Sequence, residues 1–239
     1  MIATTVRATL GAEDERLALL LLADGRETER RRLEARAASE GSDVLWDDPR
    51  LVRALLSHRG LTAPSAALFL YAMLRRLLLE AGVDDRLVTD YCASLVLAFG
   101  RKDRAYRIGE HDENRYAYLV DLVAEADRTE GERQFRVRAH LGNFALWLTG
   151  IFPDYIAARR ARKGGPDLPY YEAVGKSGFR LASDHALAGR YGLDGVLRQT
   201  GERFHQIRIA LNRFSDRMMF PNHDSPDRLM RQVADEFGH

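Results

Sequence analysis

The stretch PYYEAVGKSGFRLASDHALAG, residues 169–189, decides the fold class. Apolar or small side chains recur in it every three or four residues, which is the period of an α-helix that buries one face. Gly175, Gly178 and Ala182 form a line of small residues beside this stripe, so we expect another helix to approach closely. His185 falls on the apolar stripe and is therefore expected in the core.

The next segment continues this pattern and predicts a second helical rod that packs against the first, which is the one formed by residues 169–189. Its large apolar residues are spaced seven, three, four, three and four apart: Leu197, Phe204, Ile207, Leu211, Phe214 and Met218. We expect a rod from near Asp194 to lie antiparallel against the rod from near Pro169 and to dominate the stability of the protein. The rest of the chain also follows the helical period, which predicts an all-α fold of about nine or ten helices. We expect a single domain over residues 1–239, with Gly-Gly-Pro at 164–166 as an alternative boundary.

Composition excludes several classes of protein. The chain has 239 residues, of which 46% are hydrophobic and 30% are charged, as in globular proteins. Its 36 basic and 35 acidic residues give a net charge of +1, which provides no bulk attraction to nucleic acid or anionic lipid. No apolar stretch reaches the ~18–20 residues of a membrane span, so no membrane partner is expected. The single cysteine, Cys92, lies in an apolar run and favours a reducing, cytoplasmic location.

One motif points to an enzyme. Arg180 and His185 have the Arg-x4-His spacing that is typical of HEPN-type ribonucleases, small helical proteins in which this pair polarises an RNA phosphate. With Asp184 between them, these residues are the candidates for catalysis. Arg53 and His58 share the spacing, and an arginine-rich chain produces such pairs by chance. The alternative is that His185 is a hydrogen-bonded core residue.

Cofactor and metal motifs are not evident in the sequence. Glu202 and His205 have the Glu-x-x-His spacing of di-iron bundles, but the inward-pointing partners of such a site are missing. By helical geometry both side chains point away from the stripe that contains Phe204. The common nucleotide, hydrolase and zinc signatures are also missing. We therefore expect no metal and no cofactor.

Two arginine clusters are the candidates for nucleic-acid contacts: Arg101, Arg104 and Arg107 in a predicted loop, and Arg159, Arg160 and Arg162 in a predicted helix. Tyr106 and Tyr155 are interleaved with them. The clusters could neutralise several phosphates if they shared one face. A charge run on a helix is more often a solvated, salt-bridged face, and the balanced net charge does not favour nucleic acid as a partner.

The segment LGNFALWLTGIFPD at 141–154, followed by PYYEAVG at 169–175, resembles an uncharacterised family of bacterial all-helical proteins. In that family a Leu-Gly-Asp-x-Ser-Leu-like helix ends in Gly-x-Phe, and a Tyr-Tyr-x-x-x-Gly helix follows. Here Asn143 stands in place of the acid and Ala145 in place of the serine. The resemblance covers roughly a third of the chain and implies a helical bacterial protein, with no known activity.

Polar residues on these closely packed helices leave a binding alternative open. Asn143, Tyr170 and Tyr171, near His185, could satisfy one another or could line a small-ligand pocket. Because catalytic signatures are absent and the charged segment 26–40 has few apolar anchors, we favour a helical interaction or scaffold protein that forms a homo-oligomer. An enzyme or ligand binder around His185 and a nucleic-acid-associated protein are the alternatives.

Overall fold

A computed structural model describes residues 5–58, 60, 62–101, 103–109, 111–222 and 226–237, with side chains at all of these positions except 226, 227, 234, 236 and 237. These ranges contain fourteen α-helices and no β-strand, which confirms the all-α prediction. The expected number of nine or ten helices is too low because two predicted rods are interrupted and a short extra helix forms. The described chain divides into two compact units.

The N-terminal unit comprises residues 2–80 and 84–97. Its helices are α1 (Ala12–Ala23), α2 (Glu27–Glu40), α3 (Asp43–Trp46), α4 (Pro49–Ser57), α5 (Ala66–Glu80) and most of α6 (Arg86–Phe99). In α5, Leu68, Leu74 and Leu77 are fully buried, as expected for a helix that is apolar on nearly all sides.

The charged segment 26–40 forms α2, which packs against α1. The two helices join where Asp24 and Gly25 adopt left-handed backbone angles, with φ of 50° and 73°. Leu33 is 2% exposed, so the segment is anchored by one apolar side chain. The arginines of this segment pair with glutamates of the same helix.

The C-terminal unit comprises residues 81–83 and 98–239. Its helices are α7 (Leu119–Arg128), α8 (Gly131–Ile151), α9 (Pro153–Lys163), α10 (Leu168–Ser183), α11 (Ala186–Arg190), α12 (Asp194–Glu202), α13 (Phe204–Phe214) and α14 (Pro226–Phe237). The alternative boundary at 164–166 lies inside this unit, and the single domain over the whole chain stays a prediction.

The line of small residues on α10 meets α8. A Cβ atom on Gly178 would lie 2.8 Å from the backbone nitrogen of Gly142 and 3.0 Å from the carbonyl oxygen of Arg138. A Cβ atom on Gly142 would in turn lie 2.7 Å from the ring of Phe179. The prediction of a close helix approach is confirmed, and the approaching helix is α8, the longest in the unit.

The C-terminal apolar stripe is buried as predicted, but it belongs to two helices. Phe204, Ile207 and Leu211 are at most 1% exposed. The rod breaks at Arg203, whose φ of −100° and ψ of 20° leave the helical region and separate α12 from α13. α10 packs against α12, as expected for the two rods, and packs even more extensively against α8. The expectation that the two-rod pair dominates the stability of the protein stays a prediction. The central helix of this unit is α8, because α7, α10 and α13 all pack against it.

Candidate functional site

The predicted catalytic residues Arg180, Asp184 and His185 lie where α10 gives way to α11. His185 is the N-cap of α11, and its Nδ1 accepts a hydrogen bond from the amide of Leu187 at 3.2 Å. The imidazole is half-buried beside Phe135, with the ring centroids 5.5 Å apart. The expected core position of His185 is wrong, because the helix that carries the stripe ends before it and the ring serves as a cap.

A cavity of about 550 Å³ lies between α10 and α12. Arg180 and Asp184 line it, whereas His185 is not among the described residues that do. The other lining residues are Ala173, Lys176, Ser177, Ser183, Arg198, Gly201 and Glu202. The cavity is therefore lined by charges of both signs. His185 does not lie beside Arg180 on its lining, so the cavity does not combine the arginine with an imidazole that could act as a base. The ribonuclease interpretation stays a prediction.

The predicted ligand-binding residues Asn143, Tyr170 and Tyr171 differ in exposure. Asn143 and Tyr171 are 3% and 4% exposed, whereas Tyr170 is 42% exposed. The two tyrosine rings meet edge to face with centroids 6.0 Å apart. Burial raises the pKa of the Tyr171 phenol, and the positive charge of Arg159 on α9 opposes this effect. The tyrosines are thus brought together with the arginines of α9.

Arginines of the first cluster form hydrogen bonds within their own loop. Arg104 donates from Nη1 to the carbonyl oxygen of Arg107 at 2.5 Å, and Arg107 donates from Nη1 to the carbonyl oxygen of Asp112 at 2.8 Å. The amide of Tyr116 donates to the carbonyl of Tyr106 at 2.8 Å. Within the described residues, this loop contains no α-helix before α7 begins at Leu119. Arg101, in the same loop, is exposed.

The second arginine cluster lies on α9 and is more accessible. Arg160 and Arg162 are exposed and Arg159 is half-buried. The guanidinium of Arg159 lies 4.7 Å from the ring centroid of Tyr118. Arg160 lies 3.5 Å from Asp167, which is the one carboxylate that pairs with this cluster among the described residues.

The last helix, α14, has its amphipathic faces reversed. Leu229, Met230 and Val233 are 60%, 64% and 42% exposed. The charged Arg228 of the same helix is 6% exposed, and the Arg231 side chain is 11% exposed. A helix that covers a protein core ordinarily places its apolar side inward. α14 instead turns its charged side inward and its apolar side to solvent.

The inward side of α14 is held by buried ion pairs. Arg208 of α13 donates from Nη2 to Asp235 at 2.9 Å and from Nε to Glu172 of α10 at 2.5 Å. Arg231 donates from Nη2 to Asp216 at 2.9 Å and lies 3.5 Å from Asp154 of α9. Breaking a buried pair by removing one partner costs about 3–5 kcal/mol, so this orientation of α14 is strongly fixed.

A π-helical turn over residues 215–219 contains one of the carboxylates that bind Arg231. Asp216 lies in this turn, and Ser215 donates from Oγ to the carbonyl oxygen of Ile151 at 2.7 Å. Arg228 donates from Nη1 to the carbonyl oxygen of Phe220 at 2.8 Å and lies 3.0 Å from Asp216. The turn thereby joins the end of α13 to the start of α14. Its neighbour Phe220 is 38% exposed.

A buried histidine lies elsewhere in the C-terminal unit. His140 of α8 is 4% exposed and packs against the rings of Phe99 and Phe144, with centroids 5.5 Å and 6.1 Å away. Burial, reinforced by the positive charge of Arg104, lowers the pKa of His140 to about 3. Its Nε2 has no hydrogen-bond partner among the described residues. The imidazole is therefore neutral at physiological pH.

The N-terminal unit has its own cavity, of about 480 Å³, next to Arg75. The acids on its lining are each bound to an arginine: Asp47 to Arg75 at 3.2 Å, Asp48 to Arg50 at 2.8 Å and Glu80 to Arg76 at 2.9 Å. Such pairing leaves these carboxylates occupied as structural acceptors.

Comparison of the chain with protein-family models, with curated proteins and with solved structures found no match. Within the described ranges, no three potential metal ligands of the His, Cys, Asp or Glu type come together. Glu202 is exposed, and His205 approaches Glu172 at 3.1 Å. No helix in the described part of the chain has the length and apolar character to cross a bilayer.

Sequence reasoning missed the reversed helix. The spacing of Leu229, Met230 and Val233 does indicate an apolar face, and the spacing of Arg228 and Arg231 a charged one. The pattern carries no sign of which face turns inward. That choice depends on carboxylates and a guanidinium that lie on α9, α10, α13 and the π-helical turn.

Proposed function

We propose that this protein is a non-enzymatic helical interaction protein that self-associates as a homodimer through the outward face of α14. The observation that carries the proposal is the exposure of Leu229, Met230 and Val233 on a helix whose charged side is buried. Burial of each such side chain is worth about 1.5–3 kcal/mol, so leaving all three in water forgoes a large stabilisation that a partner can recover.

A second copy of the chain is the occupant that fits this face. In a twofold dimer the same patch serves on both subunits, so one apolar stripe meets an identical one. A narrow helical stripe flanked by polar positions packs well against another helix of the same kind. Met219 and Phe220, 39% and 38% exposed, extend the patch toward the ~800 Å² per partner of a specific interface.

The proposed setting is the reducing cytoplasm of a bacterium. Cys92 supports this location because it is buried and burial raises the pKa of its thiol to about 12, so it is suited to a packed apolar role. The bacterial source rests on the resemblance carried by residues 141–154 and 169–175.

The experiment is a measurement of molar mass by light scattering as a function of protein concentration. We expect a dimer for the wild type and a monomer for Leu229→Glu, because a buried unpaired charge opposes association. Leu87→Glu is the matched control, since Leu87 of α6 is 61% exposed and receives the same change. Circular dichroism checks that all three chains are folded.

A wild-type chain that stays monomeric at every concentration contradicts the proposal. Dissociation by Leu87→Glu with no effect of Leu229→Glu would place the interface elsewhere and also contradict it.

A further inference from the structure

A second exposed surface, on α9 and its neighbours, combines aromatic rings with cations. Tyr155 of α9 is 52% exposed, Tyr170 of α10 is 42% exposed and Tyr118, at the N-cap of α7, is 50% exposed. Arg162 and Lys163 at the end of α9 are exposed as well. We call these five residues, together with Arg159, the α9 patch.

Arg159 organises the rings of the α9 patch. Its guanidinium lies 4.7 Å from the ring centroid of Tyr118, and its positive charge acts on the phenol of Tyr171. Tyr171 is buried and meets Tyr170 edge to face, which supports the exposed ring from below. Tyr155 and Arg159 are four residues apart on α9 and therefore lie on one face of the helix. These contacts hold Tyr118 and Tyr170 in place, and the guanidinium of Arg159 lies over one face of the Tyr118 ring. Tyr155 and Tyr170, which are 52% and 42% exposed, remain accessible to a ligand.

The cations of the α9 patch are not neutralised by acids. Arg159, Arg162 and Lys163 form no ion pair with a carboxylate in the described part of the chain. In α2, by contrast, each arginine of the run at 30–32 has a glutamate of the same helix within 4 Å, at 2.9, 3.1 and 3.8 Å. The α9 patch thus keeps a local positive charge although the whole chain has a net charge of only +1.

We propose that the α9 patch binds single-stranded nucleic acid. Arg162 and Lys163 contact phosphates, and Tyr155 and Tyr170 stack on unpaired bases. Exposed rings beside cations are the combination that single strands recognise, because every base has a π-face and every nucleotide a phosphate. A duplex keeps its bases stacked inside and leaves such rings unused. An acidic polypeptide such as polyglutamate uses the cations but has no aromatic base that could stack on the tyrosines.

The test is fluorescence anisotropy of labelled oligothymidylate and oligouridylate of about 20 nucleotides, a length that exceeds the site sizes of typical single-strand binders. We expect both to bind at low salt. The double variant Arg162→Gln with Lys163→Gln should weaken binding at least tenfold and reduce the slope of log K against log salt by about 1.4, which corresponds to two phosphate contacts.

Tyr155→Ala should weaken binding about fivefold or more, whereas Tyr155→Phe keeps the π-face and should restore it. This pair separates stacking from charge. The matched control for charge is Arg31→Gln with Arg32→Gln in α2, which removes the same two charges from an exposed helix. We expect the control to bind within twofold of the wild type.

Equal weakening by the α2 control and the α9 variant overturns the proposal, since it would reflect bulk charge alone. Absence of binding to either oligonucleotide overturns it too. So does tighter binding of polyglutamate than of either oligonucleotide, because an acidic polypeptide would then be the partner. Circular dichroism of each variant verifies folding, and Tyr155→Phe remains informative if Tyr155→Ala does not fold.

Discussion

Helices α2 and α14 are both short and rich in charge, yet they use their charges in opposite ways. In α2, Arg30 and Arg31 pair with Glu27 in solvent, and Leu33 alone is buried. In α14 the arginines and Asp235 are turned inward, and Leu229 faces solvent. Both helices use pairs of an arginine and a carboxylate. In α2 these pairs lie on the surface, whereas in α14 they attach the helix to the rest of its unit.

The energies of the two arrangements differ accordingly. A solvated pair is worth about 0–1 kcal/mol, because water and salt screen the charges. A buried pair with one partner removed leaves an uncompensated charge and costs about 3–5 kcal/mol. The comparison therefore makes α14 a helix whose orientation is set by electrostatics and whose outward apolar face is available to a partner.

The largest effect is expected for Arg208→Ala. Arg208 is 3% exposed and binds both Glu172 and Asp235, so its loss removes the arginine that lies closest to each carboxylate. Lys176 at 3.6 Å from Glu172 and Arg231 at 3.8 Å from Asp235 are longer contacts. We expect the free energy of unfolding to fall by about 3–5 kcal/mol in urea titrations. A loss below about 1 kcal/mol would show that the pairs under α14 behave like those of α2.

Next in size is Leu33→Ala, which removes the large apolar anchor of α2. A buried leucine replaced by alanine costs about 2–5 kcal/mol through lost burial and the cavity that remains. The control is Leu20→Ala on α1, where the side chain is 60% exposed and the change should be within about 0.5 kcal/mol. Equal losses for the two variants would mean that α2 is not held by Leu33. Urea titration measures both.

A third prediction concerns a buried base that has no counter-ion. His140 has a pKa of about 3 in the fold, against about 6.5 in an unfolded chain. Between these values the unfolded chain binds more protons, so stability falls as the pH drops from about 6.5 toward 3. The slope reaches at most about 1.4 kcal/mol per pH unit.

His140→Gln removes this proton and should flatten the decline. Free energies of unfolding measured at several pH values between neutral and mildly acidic test the difference between wild type and variant. Parallel curves for the two proteins would mean that His140 does not titrate as described.

The smallest effect is expected for Arg31→Gln on α2. Its pair with Glu27 is exposed, so water screens the attraction and the free energy of unfolding should hardly change. High salt should erase even this difference, because mobile ions screen exposed charges. A loss comparable with that of Arg208→Ala would abolish the contrast between the two helices.

The parts of the fold set by local pattern were predictable. The buried stripe with Phe204 and Ile207 and the close approach at Gly178 both follow from spacing and residue size. The break at His185 was not predictable in this way, because a histidine N-cap competes with the apolar stripe to which the same residue belongs. The break at Arg203 has no capping side chain to announce it.

The candidate surfaces were predictable only in part. The run at 159–163 was a candidate because its cations cluster on one predicted helix, and the structure adds Tyr118 from a distant part of the chain and Tyr170 from the next helix. The outward face of α14 was missed, since the partners of Arg231 and Asp235 outside this helix lie on three other segments: α9, α13 and the π-helical turn. Periodicity defines the faces of a helix, and long-range contacts decide which face is buried.

The most direct measurement of the central claim is disulfide cross-linking through cysteines placed on α14. Leu229→Cys, Met230→Cys and Val233→Cys are made singly, and Leu87→Cys on α6 is the control. The native Cys92 is fully buried and its thiol pKa is raised to about 12, so it does not compete in the reaction. We predict a covalent dimer on mild oxidation for at least one α14 variant and none for the control. Failure of all three α14 variants, or equal cross-linking of Leu87→Cys, would contradict self-association through α14.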